Sequence, residues 1–319
     1  MDTTRTLAAP PPLGPALLRG ALASPLKRRV RDGAALPQTR LVVPAAAVDA
    51  GRLAAYARVC GFSESGALPL TYPHVLGFPL AIRLMAGRAF PLPLLGLVHT
   101  YIEITRHRPL LPTDAPTLCV YAAGLTPHRR GTEVTMVTEA RLGGETGEGD
   151  EGDELVWESR SRYLHRHART DAVRTTTPSP SSPSPSPSPS PEATVGTTTA
   201  QARWPLPADL GRRYAAASGD RNPIHLYALT ARAFGFRRAV AHGMWTFARC
   251  LAEQPHPGGI AYAEAEFRAP VLLPGTVEYA VGEEADESNE GDGGVFELRD
   301  PRNGRVHLIG RTATTARPA

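Results

Sequence analysis

The C-terminal part of the chain alternates between helical and extended patterns. Apolar spacing predicts a helix over Asp209–Ala217 that stops at Ser218-Gly219, followed by a short helix over Leu226–Phe234. His242–Glu253 is apolar on nearly every side, which is typical of a helix inside a core. Four strand candidates follow, at Ile260–Arg268, Thr276–Val281, Val295–Arg299 and Val306–Thr314. One buried helix wrapped by antiparallel strands predicts an α+β unit.

The same order of patterns occurs earlier in the chain. A predicted helix over Ala50–Val59 precedes an apolar run over Val75–Met85. Four more strand candidates lie around Leu97–Thr105, Thr117–Gly124, Thr132–Arg141 and Leu155–Leu164. Short peptides also match in order: residues 55–62 with 213–220, 73–76 with 241–244, and 108–112 with 269–274. We therefore interpret the chain as a tandem duplication.

A low-complexity stretch separates the two halves. Residues 178–191 consist only of Pro and Ser, and Thr- and Ala-rich flanks extend this stretch to 171–200. Such a segment buries no apolar surface, so it predicts a disordered linker between a domain at 37–170 and a second domain at 201–319. The first residues, 1–36, are rich in Pro and Ala and predict a poorly ordered tail.

Composition and charge restrict the class of protein. Apolar residues make up 42% of the chain, which excludes a wholly disordered protein. The net charge is only +4 and no dense basic block carries it, so we expect no nucleic-acid partner. The cysteines Cys60, Cys119 and Cys250 are widely spaced, which predicts neither disulfides nor a zinc site. No apolar run is long enough to span a membrane, and the N-terminus lacks a signal-peptide pattern; we expect a cytoplasmic protein.

The segment Tyr214–His225 carries the candidate chemistry. Taken singly, its Gly-Asp-Arg-Asn-Pro is a good turn, Asp220 or Asn222 is a cap, and His225 is an ordinary polar residue. Together with Ala241-His-Gly-Met and Phe267-Arg-Ala-Pro, however, the segment resembles the MaoC-like, or hydratase-2, family. That resemblance implies a hot-dog fold, in which an antiparallel sheet wraps one central helix. The full fold expected is a tandem hot-dog whose halves form an intramolecular pseudo-dimer, present as a monomer or as a homodimer.

The family resemblance implies reversible hydration of enoyl thioesters to (R)-3-hydroxyacyl thioesters. Asp220 and His225 would handle both protons of a syn addition, and Asn222 would orient the water or the carboxylate. The backbone N–H of Gly243, at the start of the buried helix, would face the thioester oxygen. We expect no metal and no redox cofactor. The acyl group would be carried by CoA or by an acyl carrier protein.

Other residues near this segment are candidates for supporting the site or binding the substrate. Ser218 either stops the helix or supports the site, and Arg221, Arg237 and Arg238 could bind the phosphates of the substrate. His242 is expected to pack or cap at the entrance of the buried helix, outside the catalytic pair.

The N-terminal copy lacks the candidate catalytic groups. Phe62 stands where the C-terminal half has Asp220, and Val75 stands where it has Gly243. Ten residues are also missing between the two motifs, so the loop that would carry Asn and His is absent. We expect this half to leave room for a long acyl chain.

Two alternatives from other functional classes stay open at this point. A hot-dog thioesterase would hydrolyse the same thioesters, although the Asp–Asn-Pro–His array speaks against it. A non-catalytic acyl-thioester binding or partner subunit would keep the motif without turnover.

Overall fold

The computed structural model describes residues 3–27, 34–63, 66–143, 153–167, 198–282 and 293–316. The predicted linker over 171–200 therefore lies mostly outside the described residues, and the division into domains at that point stays a prediction. The N-terminal half contains β1 (Thr3–Thr6), α1 (Leu13–Ala23), β2 (Thr39–Val43), α2 (Ala50–Cys60), α3 (Tyr72–Met85), β3 (Leu97–Arg106), β4 (Thr117–His128), β5 (Gly131–Leu142) and β6 (Glu154–Arg166).

The C-terminal half repeats the order from β2 onward, with several short elements inserted. It contains β7 (Thr198–Leu206), α4 (Leu210–Ser218), α5 (Pro223–Leu226), α6 (Ala228–Arg232), β8 (Ala239–Val240), α7 (Gly243–Ala252), β9 (Tyr262–Phe267), β10 (Leu272–Leu273), β11 (Gly275–Gly282), β12 (Gly294–Arg299) and β13 (Val306–Ala313). None of the described helices is both long and apolar enough to cross a membrane.

Eleven of these strands form one continuous sheet in the order β1-β2-β4-β5-β6-β3-β9-β13-β12-β11-β7. The halves meet where β3 pairs with β9 in antiparallel register, with Glu103 opposite Glu264. Ile102 and Ile104 of β3 are fully buried on the face that carries the helices. The architecture is the tandem hot-dog that the sequence predicted, with α3 and α7 as the two central helices.

Helices from opposite halves also share one core. α2 and α4 both end at a glycine in the left-handed conformation, Gly61 and Gly219, each with a φ of 84°. The rings of Tyr56 and Tyr214 lie 5.9 Å apart between these helices. The indole of Trp245 on α7 donates a hydrogen bond of 2.8 Å to the carbonyl oxygen of Val59 on α2. The two halves are therefore joined by packing as well as by the sheet.

Several sequence predictions differ from the structure. The tail expected over 1–36 is wrong for its described part: β1 pairs in parallel with β2, and Leu17 of α1 reaches the central cavity. β7 begins at Thr198, inside the range expected to be linker. The helix predicted over Leu226–Phe234 is the shorter α6 (Ala228–Arg232), and the extended Tyr227 separates it from α5, which the sequence analysis did not predict.

We predict that the C-terminal half does not behave as a monomer without its partner half. Removing residues 1–197 would expose the edge of β9 and the apolar contact around Trp245, and such edges pair with other chains. A fragment of 198–319 should be insoluble or should self-associate, as measured by light scattering after size-exclusion chromatography. A soluble monomeric fragment with native-like secondary structure would contradict this prediction.

Candidate active site

A cavity of about 1180 Å³ runs between the two halves. Its lining includes the side chains of Asp220 and His225, together with the start of α7. The N-terminal half contributes a set of apolar side chains: Leu17, Val75, Phe78, Ile82, Met85 and Leu94. Titratable groups beside an apolar lining suit a molecule with a reactive head and a hydrocarbon tail.

The loop after α4 presents the carboxylate of Asp220. Gly219 takes the left-handed conformation there, and a Cβ at this position would lie 2.8 Å from Leu13 of α1. The Ser218 hydroxyl donates to the carbonyl oxygen of Tyr214 at 2.9 Å and accepts from the backbone N–H of Asp220 at 3.2 Å. These contacts hold the backbone of the loop at Asp220, whose side chain keeps 25% of its surface open.

Asn222 has a structural role as well as a place beside the site. Its backbone N–H donates to Oδ1 of Asp220 at 3.1 Å, and its side-chain oxygen accepts from the N–H of Ile224 at 3.4 Å. The side-chain oxygen thus caps α5, and Pro223 occupies the first helical position. The carboxylate of Asp220 is oriented by the backbone of Asn222 rather than by its amide.

The imidazole of His225 has a defined tautomer. Its Nδ1 lies 2.7 Å from the carbonyl oxygen of Val240, which can only accept, so Nδ1 carries the proton. In the neutral ring the lone pair is therefore on Nε2. His225 lines the cavity beside Asp220, which leaves Nε2 available as a proton acceptor.

His242 completes a compact group with Asp220 and His225. Its Nε2 lies 3.0 Å from the backbone oxygen of Asp220, so this nitrogen is the donor and holds the catalytic loop. The same nitrogen is 3.9 Å from Oδ2 of Asp220. The rings of His242 and His225 stack with centroids 3.8 Å apart. The sequence analysis placed His242 outside the catalytic pair of Asp220 and His225. In the structure its hydrogen bond to the backbone of Asp220 connects that loop to the start of α7.

Burial controls the charges of this group. Loss of solvation raises the pKa of Asp220 above its usual range, although His225 and the N–H of Asn222 oppose this shift. Loss of solvation lowers the pKa of His225, against the opposing effect of Asp220. The pKa of His242 is well below its usual range because the ring is buried beside His225. The group therefore favours a neutral His225 next to a carboxyl that protonates easily.

The start of α7 lines the same cavity as Asp220 and His225. Gly243 is its first residue, and the N–H groups of a first turn have no intrahelical acceptor. A Cβ on Gly243 would lie 3.1 Å from the ring of Phe267, so a larger side chain would push that ring. The geometry thus offers a hydrogen-bond donor and the positive end of a helix dipole at the cavity wall.

A family model described as a MaoC like domain matches residues 184–296. The 3-hydroxyacyl-thioester dehydratase X of Mycobacterium tuberculosis is 36% identical over 276 residues, covering 86% of this chain and 88% of that protein. The chain belongs to the MaoC-like dehydratase family. It is accordingly a hydro-lyase.

Solved MaoC-like structures share the whole architecture. The crystal structure of HtdX from M. tuberculosis superposes with a TM-score of 0.65 at 30% identity, over 86% of this chain and 98% of that one. A MaoC-like dehydratase from Phytophthora capsici gives a TM-score of 0.59 at 16% identity, over 88% and 95% of the two chains. The second likeness shows that the fold extends across both halves in a distant relative.

The predicted phosphate-binding arginines lie at different places. Arg221 is exposed and lines the cavity, whereas Arg237 and Arg238 are exposed but do not line it. A guanidinium nitrogen of Arg238 donates to the carbonyl oxygen of Pro274 at 2.6 Å. Of the three, only Arg221 is thus positioned to meet a molecule in the cavity of this MaoC-like protein.

Sequence reasoning missed a polar group contributed by the N-terminal half. His99 of β3 stacks on Tyr163 of β6 with centroids 4.5 Å apart, and both line the cavity. His99 also meets the ring of Phe267 at 4.9 Å, which is the ring that covers Gly243. His74, the counterpart of His242, lies 6.2 Å from His99. The sequence does not indicate that this histidine lies beside the site, because its contact with Phe267 forms only where β3 pairs with β9.

The arrangement of Asp220, His225 and His242 bears on the predicted absence of a metal. Their potential ligand atoms all lie within 4.8 Å of one another. However, the two imidazoles are stacked, so their in-plane lone pairs lie in nearly parallel planes rather than pointing at one ion. The geometry fits a hydrogen-bonded acid–base group better than a metal centre, and the absence of a metal stays a prediction.

We predict that buried neutral histidines destabilise the fold as the pH falls. Burial lowers the pKa of His74 to about 4 and that of His99 to about 3, against about 6.5 in the unfolded chain. At pH values between the native and the unfolded pKa, the unfolded chain binds protons at these histidines that the native state does not. The free energy of unfolding therefore decreases as the pH is lowered through this range. His99→Phe should reduce this slope by about 1 kcal/mol per pH unit between about pH 5 and 6.

Urea unfolding at several pH values measures this slope. Tyr163→Phe is the matched control, because it changes the same stacked pair while the Tyr163 phenol, whose pKa burial raises further above its usual range, does not titrate in acid. An unchanged slope in His99→Phe, or an equal reduction in both variants, would contradict the assignment.

Proposed function

We propose that this MaoC-like protein is an (R)-specific 3-hydroxyacyl-thioester dehydratase that also catalyses the reverse hydration. One observation carries the proposal: His225, with its proton fixed on Nδ1, lines the same cavity as the carboxyl of Asp220. The relative from M. tuberculosis is named a 3-hydroxyacyl-thioester dehydratase, which supports the substrate class. The (R) configuration follows from the family resemblance of the Asp220–His225 motif.

In the dehydration direction, Nε2 of His225 removes a proton from C2 of the substrate. The electron pair of that C–H bond forms the C2=C3 double bond, and the C3–O bond breaks. The carboxylic acid of Asp220 gives its proton to the departing hydroxyl group, which leaves as water. The raised pKa of Asp220 and the lowered pKa of His225 suit these starting protonation states.

The reverse reaction uses the charged forms of the same pair. The Asp220 carboxylate takes a proton from water as its oxygen attacks C3, and the imidazolium of His225 delivers a proton to C2. Because both groups act from one side, the addition is syn. The enzyme itself transfers only protons, while the C3–O bond forms and the C2=C3 double bond becomes a single bond. No group of the enzyme changes its oxidation state, so the chemistry needs no redox cofactor, and the mechanism proposed uses no metal.

The start of α7 would stabilise the charge that develops on the thioester oxygen. Removal of the C2 proton gives the carbonyl enolate character, and the N–H of Gly243, the first residue of the helix, would donate to it. Loss of one such donor typically costs about 10²–10³-fold in rate. His242 acts as a positioning residue, because it holds the backbone of Asp220 beside this helix.

The acyl chain would extend into the N-terminal half. α3 supplies Val75, Phe78, Ile82 and Met85 to the apolar lining of the cavity, and α1 supplies Leu17. The N-terminal half thus lacks the catalytic loop and instead would line the binding site for the acyl chain. We propose an acyl thioester, carried by CoA or by a carrier protein, as the substrate of the intramolecular pseudo-dimer.

Substrate assays distinguish this function from the alternatives. We expect the absorbance of the enoyl thioester to fall on incubation with short- and long-chain trans-2-enoyl-CoA, with (R)-3-hydroxyacyl-CoA as product. Release of free thiol would indicate a thioesterase instead. Tight binding without either reaction would indicate a non-catalytic subunit.

We predict that Asp220→Asn and His225→Ala each lower kcat by at least about 10²-fold, because each removes one of the two proton-transfer groups. Asp209→Asn, which makes the same carboxylate-to-amide change at the start of α4, should leave kcat unchanged. Thermal unfolding of each variant checks that the fold persists. Full turnover in either Asp220→Asn or His225→Ala would exclude the pair as the catalytic groups.

A further inference from the structure

The segment that carries His225 also carries an exposed apolar surface. In the described part of the chain, four large apolar side chains are exposed, and three of them lie within residues 227–234. Leu229 is 77% exposed, Tyr227 55% and Phe234 38%. Isolated exposed apolar residues are common, but three such side chains on one short segment are typical of an interaction site.

Arginines surround these apolar side chains. The guanidinium of Arg212 lies over the ring of Tyr227 at 5.0 Å and donates to the carbonyl oxygen of Leu226. Arg232 is three residues after Leu229 on α6, and its Nε lies 3.4 Å from the carbonyl oxygen of Arg237. We call these residues the docking surface: Arg212, Tyr227, Leu229, Arg232, Phe234 and Arg237.

The charge of this region is one-sided. Residues 210–240 contain six arginines and a single acidic residue, Asp220, whose carboxylate faces the cavity. By contrast, many of the charged side chains on the sheet are paired, for example Arg203 and Arg299 with Glu278. The docking surface therefore presents positive charge that a partner with acidic side chains would complement.

The docking surface is continuous with the mouth of the cavity. Phe234 belongs to both, and Arg221 and Phe236 beside it also line the cavity. A hydrogen bond of 2.6 Å from the Thr230 hydroxyl to the carbonyl oxygen of Pro223 ties α6 to the helix that carries His225. A partner seated on α6 would thus stand at the entrance to the catalytic pair.

We propose that the docking surface receives an acidic acyl carrier protein, which delivers the acyl thioester on its phosphopantetheine arm into the cavity. This inference rests on the proposed dehydratase function and specifies the carrier. Arginines alone would serve the phosphates of CoA equally well, but an apolar centre such as Leu229 with a charged rim is the anatomy of a protein interface. The acidic side chains of the carrier would pair with Arg212, Arg232 and Arg237.

Two variants of the full-length protein test the proposal, with the same 3-hydroxyacyl chain supplied on CoA and on a purified acyl carrier protein. Leu229→Asp and Arg232→Glu should each raise KM for the carrier-linked substrate by at least about 10-fold. Both should leave kcat and KM for the CoA substrate within about two-fold, because neither residue lines the cavity. Added salt should raise KM for the carrier-linked substrate of the wild type.

Leu111→Asp is the matched control, since Leu111 is also an exposed leucine, lies in the N-terminal half and does not line the cavity. It should affect neither substrate. Equal KM values for the carrier-linked substrate in wild type, Leu229→Asp and Arg232→Glu would overturn the docking surface, as would turnover of the CoA substrate alone. Failure of the wild type to convert either substrate would instead refute the proposed function on which the inference depends.

Discussion

The antiparallel pairing of β3 with β9 is the contact on which the rest of the molecule depends. It joins two half-sheets into one and removes an edge from each half. It also brings the starts of α3 and α7 to the same cavity. Without this pairing His99 would not contact Phe267, and the loop that carries Asp220 would face solvent rather than the cavity between the halves.

The division of labour between the halves follows from this geometry. The C-terminal half keeps the loop with Asp220 and His225, while the N-terminal half has a connection ten residues shorter between the matching motifs. The space above α3 is then free for apolar lining such as Phe78 and Ile82. We infer that duplication was followed by loss of one loop. One half then supplies the proposed catalytic residues, and the other half supplies apolar lining to the same cavity.

Much of this could be predicted from the sequence because the signals are local. The five-residue spacing of Asp220 and His225, and the apolar pattern of α7, depend on nearby residues only. The order of matched peptides likewise revealed the duplication, since both copies keep the glycine that ends α2 and α4.

What the sequence could not show depends on distant contacts. His242 was assigned to packing because its hydrogen bond to the backbone of Asp220 spans 22 residues and becomes visible only when α7 meets the loop. α1 was taken for a disordered tail because its Pro and Ala content conceals the few apolar residues that pack on the other elements. Asn222 was predicted to orient the water or the carboxylate; in the structure its side-chain oxygen caps α5 and its backbone N–H contacts Asp220, and its catalytic role stays a prediction. In each case the contact involves a partner on another element or a backbone group.

The central claim is that Asp220 and His225 act from one side of the substrate, each moving one proton. Hydration of a trans-2-enoyl thioester in deuterium oxide, followed by NMR of the product, tests this most directly. The account predicts a single deuterium at C2, on the same face as the new hydroxyl group, with the (R) configuration at C3. Deuterium on the opposite face, or an (S) product, would contradict it.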